Sequence, residues 1–398
     1  CALPILQWMP EVFQENLVQQ MNHWESVGEF PAALCTGFVH PLPKRDDSVQ
    51  VGDFRPVIIY SMIYRSWASL RAKQILEMLS QCAGHHQFGF LQNKEGAEIW
   101  MLIQATIEES ILTQKPLAGY VSDIEKAFEG LPRKPLLWLG QRLGASRKVL
   151  RLWDFFLTHM SRRFSLSNEV GPPIFSNSGV PEGCAMSCAA MAIANVVFHK
   201  YMDLYARVTS LSFVDNLELL SRSPANLHDG ILKMQAWSDM WALKLDAKKS
   251  YAWASTPSLR AQCKQINVEV KMHAKDLGAP MTYGSKHSVA EQLDRIKALK
   301  PLWLLLRRMT VSIWMKQKIL IQAFWPRAYY GSAICCMSWT HTKQLRTEAM
   351  RALKVSRGGA SPGMRLAILC QPQTDPGYFH FWQVLLTFKR ICRKQPGF

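Results

Sequence analysis

Several protein classes are excluded by what this chain lacks. Its ten cysteines are thinly and irregularly spread, at positions 1, 35, 82, 184, 188, 263, 335, 336, 370 and 392, and no two form a CxxC pair. That rules out the disulfide framework of small secreted domains and a zinc ribbon or knuckle. Cys184 and Cys188, at helical spacing, and the vicinal pair Cys335-Cys336 read instead as small apolar residues of a reducing, intracellular protein. The longest uncharged apolar run, Cys184 to Phe198, is shorter than the ~18–20 residues a bilayer span needs, so no membrane partner is expected. Neither a secretory signal nor an internal repeat stands out. The chain begins with Cys rather than Met and is expected to be a segment of a longer protein, so the missing signal carries little weight.

Acidic residues are also scarce, and most of all at one end. The 398 residues carry a formal net charge of +17 with 48% hydrophobic content, enough apolar material for a packed core. From Ala290 to Phe398 there are 18 Lys and Arg against 4 Asp and Glu, whereas residues 1–289 hold 29 against 26. The C-terminal quarter therefore supplies attraction for a phosphate backbone and the front supplies chemistry.

Periodicity predicts a helix over Pro10 to Val27, with Val12, Phe13, Leu17, Val18, Met21 and Trp24 on one apolar stripe. A hairpin should follow, its charged tip at Pro43-Lys44-Arg45-Asp46-Asp47-Ser48 between Phe38-Val39 and Val49 to Val51, with Asp53-Phe54-Arg55-Pro56 ending a strand. Helices are predicted over Ser61 to Leu79, Glu95 to Leu112, Lys134 to Leu143 and Ser146 to His159, and a strand over Leu117 to Ser122. Arg163 to Ser167 and Pro173 to Asn177, separated by Asn168 to Gly171, form a second expected hairpin. Gly179 to Gly183 then feeds an Ala/Met-rich helix. Leu211 to Val214 and Leu217 to Leu220 flank a two-residue turn placed at Asp215-Asn216. Ser223-Pro224 opens a helix to about Leu243, strands are expected near Ser250 to Trp253 and Val268 to Met272, and everything from Glu291 reads as helical. There Leu293, Ile296, Leu299, Leu302 and Leu306 form an apolar face. The succession fits an α+β chain with a split βαβ sheet and helices on one face, followed by a basic helical lobe.

Three short blocks carry the chemistry: DIEKAF at Asp123 to Phe128, GVPEG at Gly179 to Gly183 and FVDN at Phe213 to Asn216. Asp123 and Asp215 each end an apolar run. Two carboxylates at adjacent strand ends can hold a pair of divalent ions roughly 3.5–4 Å apart, which activate an attacking hydroxyl and steady a leaving pyrophosphate. Mg²⁺ keeps waters and takes substrate phosphates as ligands, so two protein carboxylates suffice.

With LPK at Leu42 to Lys44, DFRPVIIYSMIYR at Asp53 to Arg65, HQFGF at His86 to Phe90, LKLDAKKS at Leu243 to Ser250 and KDLG at Lys275 to Gly278, eight blocks stand in order. Over about Gly37 to Ile334 the chain resembles a reverse transcriptase, most closely that of non-long-terminal-repeat (LINE-like) retroelements. The resemblance implies a right-hand polymerase fold: fingers over 1–112, palm over 113–286 including the hairpin 162–178, and a basic helical thumb and connection over 287–398. It implies Asp123, Asp215 and Asn216 as catalytic residues, with Asp123, Ile124 and Asp215 as the metal set for two Mg²⁺, Mn²⁺ being the alternative ion. Lys44 and Arg55 would meet the triphosphate, Phe128 would exclude a ribose 2′-hydroxyl, and Pro181, Glu182 and Gly183 would line the nucleotide site. Lys249 would approach the leaving pyrophosphate. Leu277 and Gly278 match the primer grip, and Arg307, Arg308, Lys316 and Lys318 the thumb face along the duplex. Trp303, Trp314, Phe324, Trp325, Tyr329 and Tyr330 are expected mainly as thumb core.

Two departures fall at the centre. Asn216 stands where the family usually has a second aspartate, and Glu182 where it usually has glutamine, so one negative charge is lost and one gained. The expected function is RNA-directed DNA polymerisation on an RNA template from a DNA primer, with dNTPs as substrates and an RNA/DNA hybrid as product. The alternative is a reverse-transcriptase-derived nucleic-acid-binding protein without catalysis. A nuclear location is implied by the resemblance alone, and no acidic constellation for RNase H activity is visible.

Overall fold

The structure is a computed structural model that describes residues 8–44, 47–166, 169–266, 268–284, 290–334, 337–355 and 361–394. Cys1, Arg45 and Asp46 of the first hairpin tip, Ser167 and Asn168 of the second, and Cys335-Cys336 lie outside the described residues. In chain order the strands are β1 (Thr36–Pro43), β2 (Phe54–Tyr60), β3 (Ala118–Asp123), β4 (Ser161–Leu166), β5 (Glu169–Val170), β6 (Ile174–Phe175), β7 (Thr209–Phe213), β8 (Asn216–Ser221), β9 (Tyr251–Ala254), β10 (His273–Asp276) and β11 (Ala279–Thr282). The chain divides into two compact units, Cys1–Lys94 with Val121–Leu219 and His228–Ser250, and Glu95–Tyr120 with Leu220–Leu227 and Tyr251–Phe398.

In the first unit β1 and β2 pair antiparallel from Gly37↔Tyr60 to Pro43↔Phe54. β1 also pairs in parallel with β4 (Thr36↔Ser161), which in turn carries β5 and β6. The return strand was expected at Val49 to Val51. It begins instead at Phe54, after a 3₁₀ turn over Val51–Asp53, so the DFRP block opens a strand rather than closing one. Loop hydrogen bonds decide this: the Lys44 N–H donates to the Asp53 carbonyl (2.8 Å), and the Gln50 N–H donates to the Asp53 carboxylate (3.2 Å). Pro56 sits opposite Pro41, a pairing that asks neither ring for a ladder donor.

Behind this sheet lies an aromatic core of Phe30, Tyr60, Tyr64, Trp67 and Phe156, with Tyr64 and Phe156 stacked at 3.7 Å. Helix Met62–Cys82 packs against helix Ala185–Tyr205, whose run of buried Ala, Met and Ser lets the backbones approach closely. The N-terminal helix forms over Glu11–Val27 and stops at Gly28, whose φ of +85° suits glycine. Its expected apolar stripe is not a core stripe: Met21 is buried, while Val12, Phe13 and Val18 are exposed. The helix is anchored by its last turns, where buried Glu25 accepts from Trp67 Nε1 (2.7 Å) and pairs with Arg71.

A four-stranded sheet has the order β7-β8-β3-β9. In the second unit, the expected strand at Val268 to Met272 reduces to one parallel bridge, Ala252↔Val270, and regular pairing starts at His273, where β10 turns into β11. The helical remainder is built over Ala290–Ala298, Lys300–Arg308, Ile313–Ile319, Trp339–Leu353, Pro362–Leu369 and Pro376–Lys394. Of the predicted apolar face Ile296, Leu299 and Leu306 are buried in its core and Leu302 packs against it, joined by Trp303, Leu320, Phe324, Trp325 and Tyr329, whereas Trp314 and Tyr330, expected in that core, are exposed. Among the described residues no helix is long and apolar enough to cross a membrane.

Candidate active site

Asp123 is delivered by β3, whose Tyr120, Val121 and Ser122 are buried, so the strand is held by its apolar and small residues while its last side chain meets solvent. Ser122 and Ser250 share a hydrogen bond at 2.8 Å in the interior. The backbone past Asp123 is fixed on both sides. The Ile124 N–H donates to the Asp215 carbonyl (2.9 Å), and the Asp246 N–H donates to the Asp123 carbonyl (2.8 Å). Ile124 itself is 2% exposed, which leaves only its backbone to face a metal.

The turn after β7 is one residue earlier than expected. Its central residues are Val214 and Asp215, and Asn216 is already the first residue of β8. Val214 adopts φ +60°, a strained value for a β-branched side chain. Its surroundings hold it there. Buried Asn195 donates from Nδ2 to the Val214 carbonyl (2.9 Å), and Gly89 lies so close that a Cβ on it would fall 2.4 Å from the Val214 nitrogen. The HQFGF block is positioned for this role by pairing with β7: the Phe88 N–H donates to Ser212 (2.9 Å), the Ser212 N–H to His86 (3.1 Å), and Gln87 Nε2 to Ala192 (2.9 Å).

The shift in register changes the reading of Asn216. Strand alternation turns its side chain inward, where Nδ2 donates to Oε1 of the buried Glu218 (3.3 Å). Asn216, expected beside the two aspartates, thus directs its amide to the buried Glu218.

Burial, reinforced by the Asp123 charge, pushes the Asp215 carboxyl up to about 6, and Lys249 and Arg55 oppose that shift. Asp123 and Asp215 therefore act on one another, and Arg55 of β2 reaches the same field. The Lys249 ammonium pairs with Asp123 and lies 3.6 Å from Asp246, and its hydrogen bond to Asp123 makes it hold its proton more tightly. Asp246, in the LKLD stretch, is a site residue that pattern reading overlooked; its proximity to Asp123 was signalled only by the block it sits in.

The GVPEG loop is tied to two neighbours. Val180 N–H donates to the Phe128 carbonyl (2.7 Å), and Arg133 reaches the carbonyls of Gly179 (2.7 Å) and Ser178 (3.0 Å). On the other side Ile58 N–H of β2 donates to the Glu182 carbonyl (3.1 Å), and Gly183, at φ +95°, leaves no room for a Cβ beside the Ile58 oxygen. Pro181 is buried and its carbonyl accepts from Ser187 Oγ (2.8 Å). The Glu182 carboxyl is raised by burial and then by Glu129, with Arg55 and Lys44 pulling the other way. Phe128, half-buried, has its ring 6.5 Å from that of Phe90. Lys44 is exposed and its ammonium donates to the Gly52 carbonyl (2.8 Å).

The first unit thus brings together Asp123, Ile124, Asp215, Lys249, Arg55, Lys44, Phe128 and Glu182. The expected nucleic-acid-binding residues, Leu277, Gly278, Arg307, Arg308, Lys316 and Lys318, belong to the second unit. Leu277 and Gly278 form the two-residue β10–β11 turn with φ of +45° and +80°, the primed geometry that suits a hairpin. Tyr330 Oη donates to the Leu277 carbonyl (2.9 Å) and Arg295 to that of Gly278 (2.6 Å), so the turn is clamped. Arg308 is exposed, while Arg307 is ion-paired with Glu348. Lys318 lies 3.7 Å from the exposed Trp314 ring. Lys316 departs from expectation: it is buried, and its ammonium donates to the Ala352 carbonyl (3.1 Å) near the end of helix Trp339–Leu353. A lysine so placed caps a helix C-terminus instead of meeting a phosphate.

Among the described residues no group of three or more His, Cys, Asp or Glu forms a metal cage. The two converging carboxylates fit a hard divalent ion all the same. Such an ion takes oxygen donors and keeps water, and it would offset both the burial that chiefly raises the Asp215 carboxyl and the repulsion from Asp123 that adds to it.

Residues 42–276 match the family model described as reverse transcriptase (RNA-dependent DNA polymerase), more than half of the chain. No curated protein matches. Among solved structures, apo telomerase from Candida tropicalis is similar with a TM-score of 0.50 at 10% identity, covering 96% of this chain and 74% of that one. A form of that telomerase truncated from its C-terminal domain gives 0.47 at 11% identity, covering 63% of this chain and 53% of that one, so this chain spans about half its length. Telomerase from Candida albicans in complex with a fragment of telomeric RNA gives 0.47 at 11%, covering 97% and 67%.

Proposed function

Because the chain belongs to the reverse transcriptase family and has the α+β right-hand polymerase fold, we propose that it is the RNA-directed DNA polymerase core of a non-long-terminal-repeat retroelement. One observation carries the reading: the Ile124-to-Asp215 backbone bond joins the ends of the two aspartate-bearing segments, and their carboxylates share one electrostatic field with Arg55. In this reading residues 1–112 are fingers, 113–286 palm and 287–398 thumb and connection.

The reaction joins a primer 3′-oxygen to the α-phosphorus of a dNTP and breaks that phosphorus's bond to pyrophosphate, copying an RNA template. Asp123 and Asp215 would hold Mg²⁺, or Mn²⁺, with the backbone of Ile124 beside them. A bound pair of such ions supplies Lewis-acid stabilisation of the attacking and leaving oxygens. The chain's own residues do the positioning. Arg55, as a fork, and Lys44, as a point charge, counter the triphosphate. Lys249 turns from Asp123 toward the leaving pyrophosphate. Phe128 fills the space a 2′-hydroxyl would need, which selects deoxynucleotides. Leu277 and Gly278 steady the primer end, and Arg308 and Lys318 meet the backbone of the RNA/DNA hybrid. Most of the rate then comes from orientation and fixed charge.

Primer extension on poly(rA)·oligo(dT) with Mg²⁺ tests this. Incorporation by the parent chain that Asp123→Ala and Asp215→Ala each abolish is expected. Unchanged incorporation in both variants removes the site assignment. A parent chain that binds the hybrid and extends nothing with either metal belongs to the other class, a polymerase-derived binder.

A further inference from the structure

Between Leu131 and Trp153 the sequence holds six cations, Arg133, Lys134, Arg142, Arg147, Lys148 and Arg151, and no acid. Two of them serve the fold: Arg133 caps carbonyls of the GVPEG loop, and Arg151 binds the Ser26 and Val27 carbonyls. Lys134, Arg142, Arg147 and Lys148 are exposed, and none has an ion-pair partner among the described residues. On helix Arg133–Arg142, Lys134, Trp138 and Arg142 fall at i, i+4 and i+8, which puts cation, indole and cation on one face. Trp138 is 57% exposed, and the Arg142 guanidinium lies 5.1 Å from its ring centre. Arg147 and Lys148 open the next helix, Arg147–His159, after four intervening residues.

We propose that this face of helix Arg133–Arg142 and the start of the following helix binds single-stranded nucleic acid, with Trp138 as a base-stacking platform. The four uncommitted cations offer contacts for a phosphate chain, and the indole offers a π-face to a planar base, the pairing by which single strands are held without sequence readout. An anionic membrane fits less well. The helix turns its apolar Leu136 into the core, so the exposed face carries one large apolar side chain and no stripe to insert. An acidic polypeptide would satisfy the cations and leave the ring without a partner. The helices involved carry none of the catalytic residues, so the surface is separate from the polymerase site and its test reads binding alone.

The test is fluorescence anisotropy of a labelled 12-nucleotide oligo(U) on the full chain, with excess unlabelled RNA/DNA hybrid present to occupy duplex-binding surfaces. Four phosphate contacts predict a log K against log [salt] slope of about −3 for a single strand. Trp138→Ala should weaken oligo(U) binding on the order of tenfold, the lower part of the range for losing one stacked base. Trp138→Phe should restore most of it. Lys134→Glu with Arg142→Glu should weaken binding further and flatten the salt slope, while affinity for the hybrid stays the same. An oligo(dT) arm assigns the source: equal affinity means the site reads chemistry common to single strands, and weaker binding means RNA is its ligand. Unchanged oligo(U) binding in both variants overturns the proposal. So does an equal loss of hybrid affinity, or binding of phosphatidylserine vesicles or polyglutamate that responds to Trp138→Ala as strongly as RNA does.

Discussion

His199 provides a quantitative test of the packing behind the Val214-Asp215 turn. It is 5% exposed, and its two ring nitrogens meet Ser210 Oγ and Ser212 Oγ of β7, each at 2.8 Å. Burial drives its pKa down from 6.5 to about 3, with His86 adding a smaller push the same way. In the folded chain the ring therefore stays neutral at pH 5, while in the unfolded chain it takes up a proton below about 6.5. The unfolded state binds more protons on acidification, so stability falls as pH drops through 6.5 and continues to fall until about 3. Integrated from pH 7 to 5 the loss from this one group is about 2 kcal/mol, some thirtyfold in the folded-to-unfolded ratio. Urea unfolding of the parent and of His199→Gln at both pH values isolates it, because every other titrating group cancels in the double difference. The parent should lose about 2 kcal/mol more than the variant. Equal losses would mean that the imidazole is solvated or already charged in the native state, and the argument would fail.

Three further outcomes follow from the same geometry. Gly89→Ala forces a Cβ to within 2.4 Å of the Val214 nitrogen, so primer extension should fall on the order of a hundredfold while the far-UV circular dichroism stays that of the parent. Asn216→Asp, which restores the family's usual residue, should place a second carboxylate against buried Glu218 and lower stability by about 1–3 kcal/mol; adding Glu218→Gln should recover most of it, and a stable single variant would refute the inward placement. Asp215 needs its ionised form to hold a cation, and its carboxyl is raised to about 6, so polymerisation should fall as pH drops through that value. Lys249→Met removes a charge that opposes the shift and should move the acid limb to higher pH.

The order of elements was legible because apolar period and turn residues agree along most of the chain, and both aspartates were readable as the ends of apolar runs. What escaped depended on contacts between distant segments. Pattern placed the FVDN turn at Asp215-Asn216 because an Asx turn there is locally favourable; Asn195 and Gly89 instead hold Val214 in a conformation its own side chain resists, and that one-residue step sends Asn216 inward. The stripe on Glu11–Val27 misled for the opposite reason: its periodicity is genuine, yet among the described residues it is Met21 and Glu25, toward its C-terminal end, that are buried. Lys316 could not be told from its neighbour Lys318 by composition, since whether a lysine meets solvent or a helix end is settled by tertiary placement.

The double tether of the GVPEG loop sets a limit on how this site can be altered. Three residues of backbone join the carbonyl that β2 grips at Glu182 to the amide that grips the Phe128 carbonyl at Val180. On the proposed function, in which the β1–β2 hairpin meets a triphosphate and Phe128 the sugar, a change that tightens the hairpin's hold is expected to drag the Phe128 ring with it. On that reading nucleotide affinity and the choice between ribose and deoxyribose are mechanically linked, and selection for one is expected to show in the other.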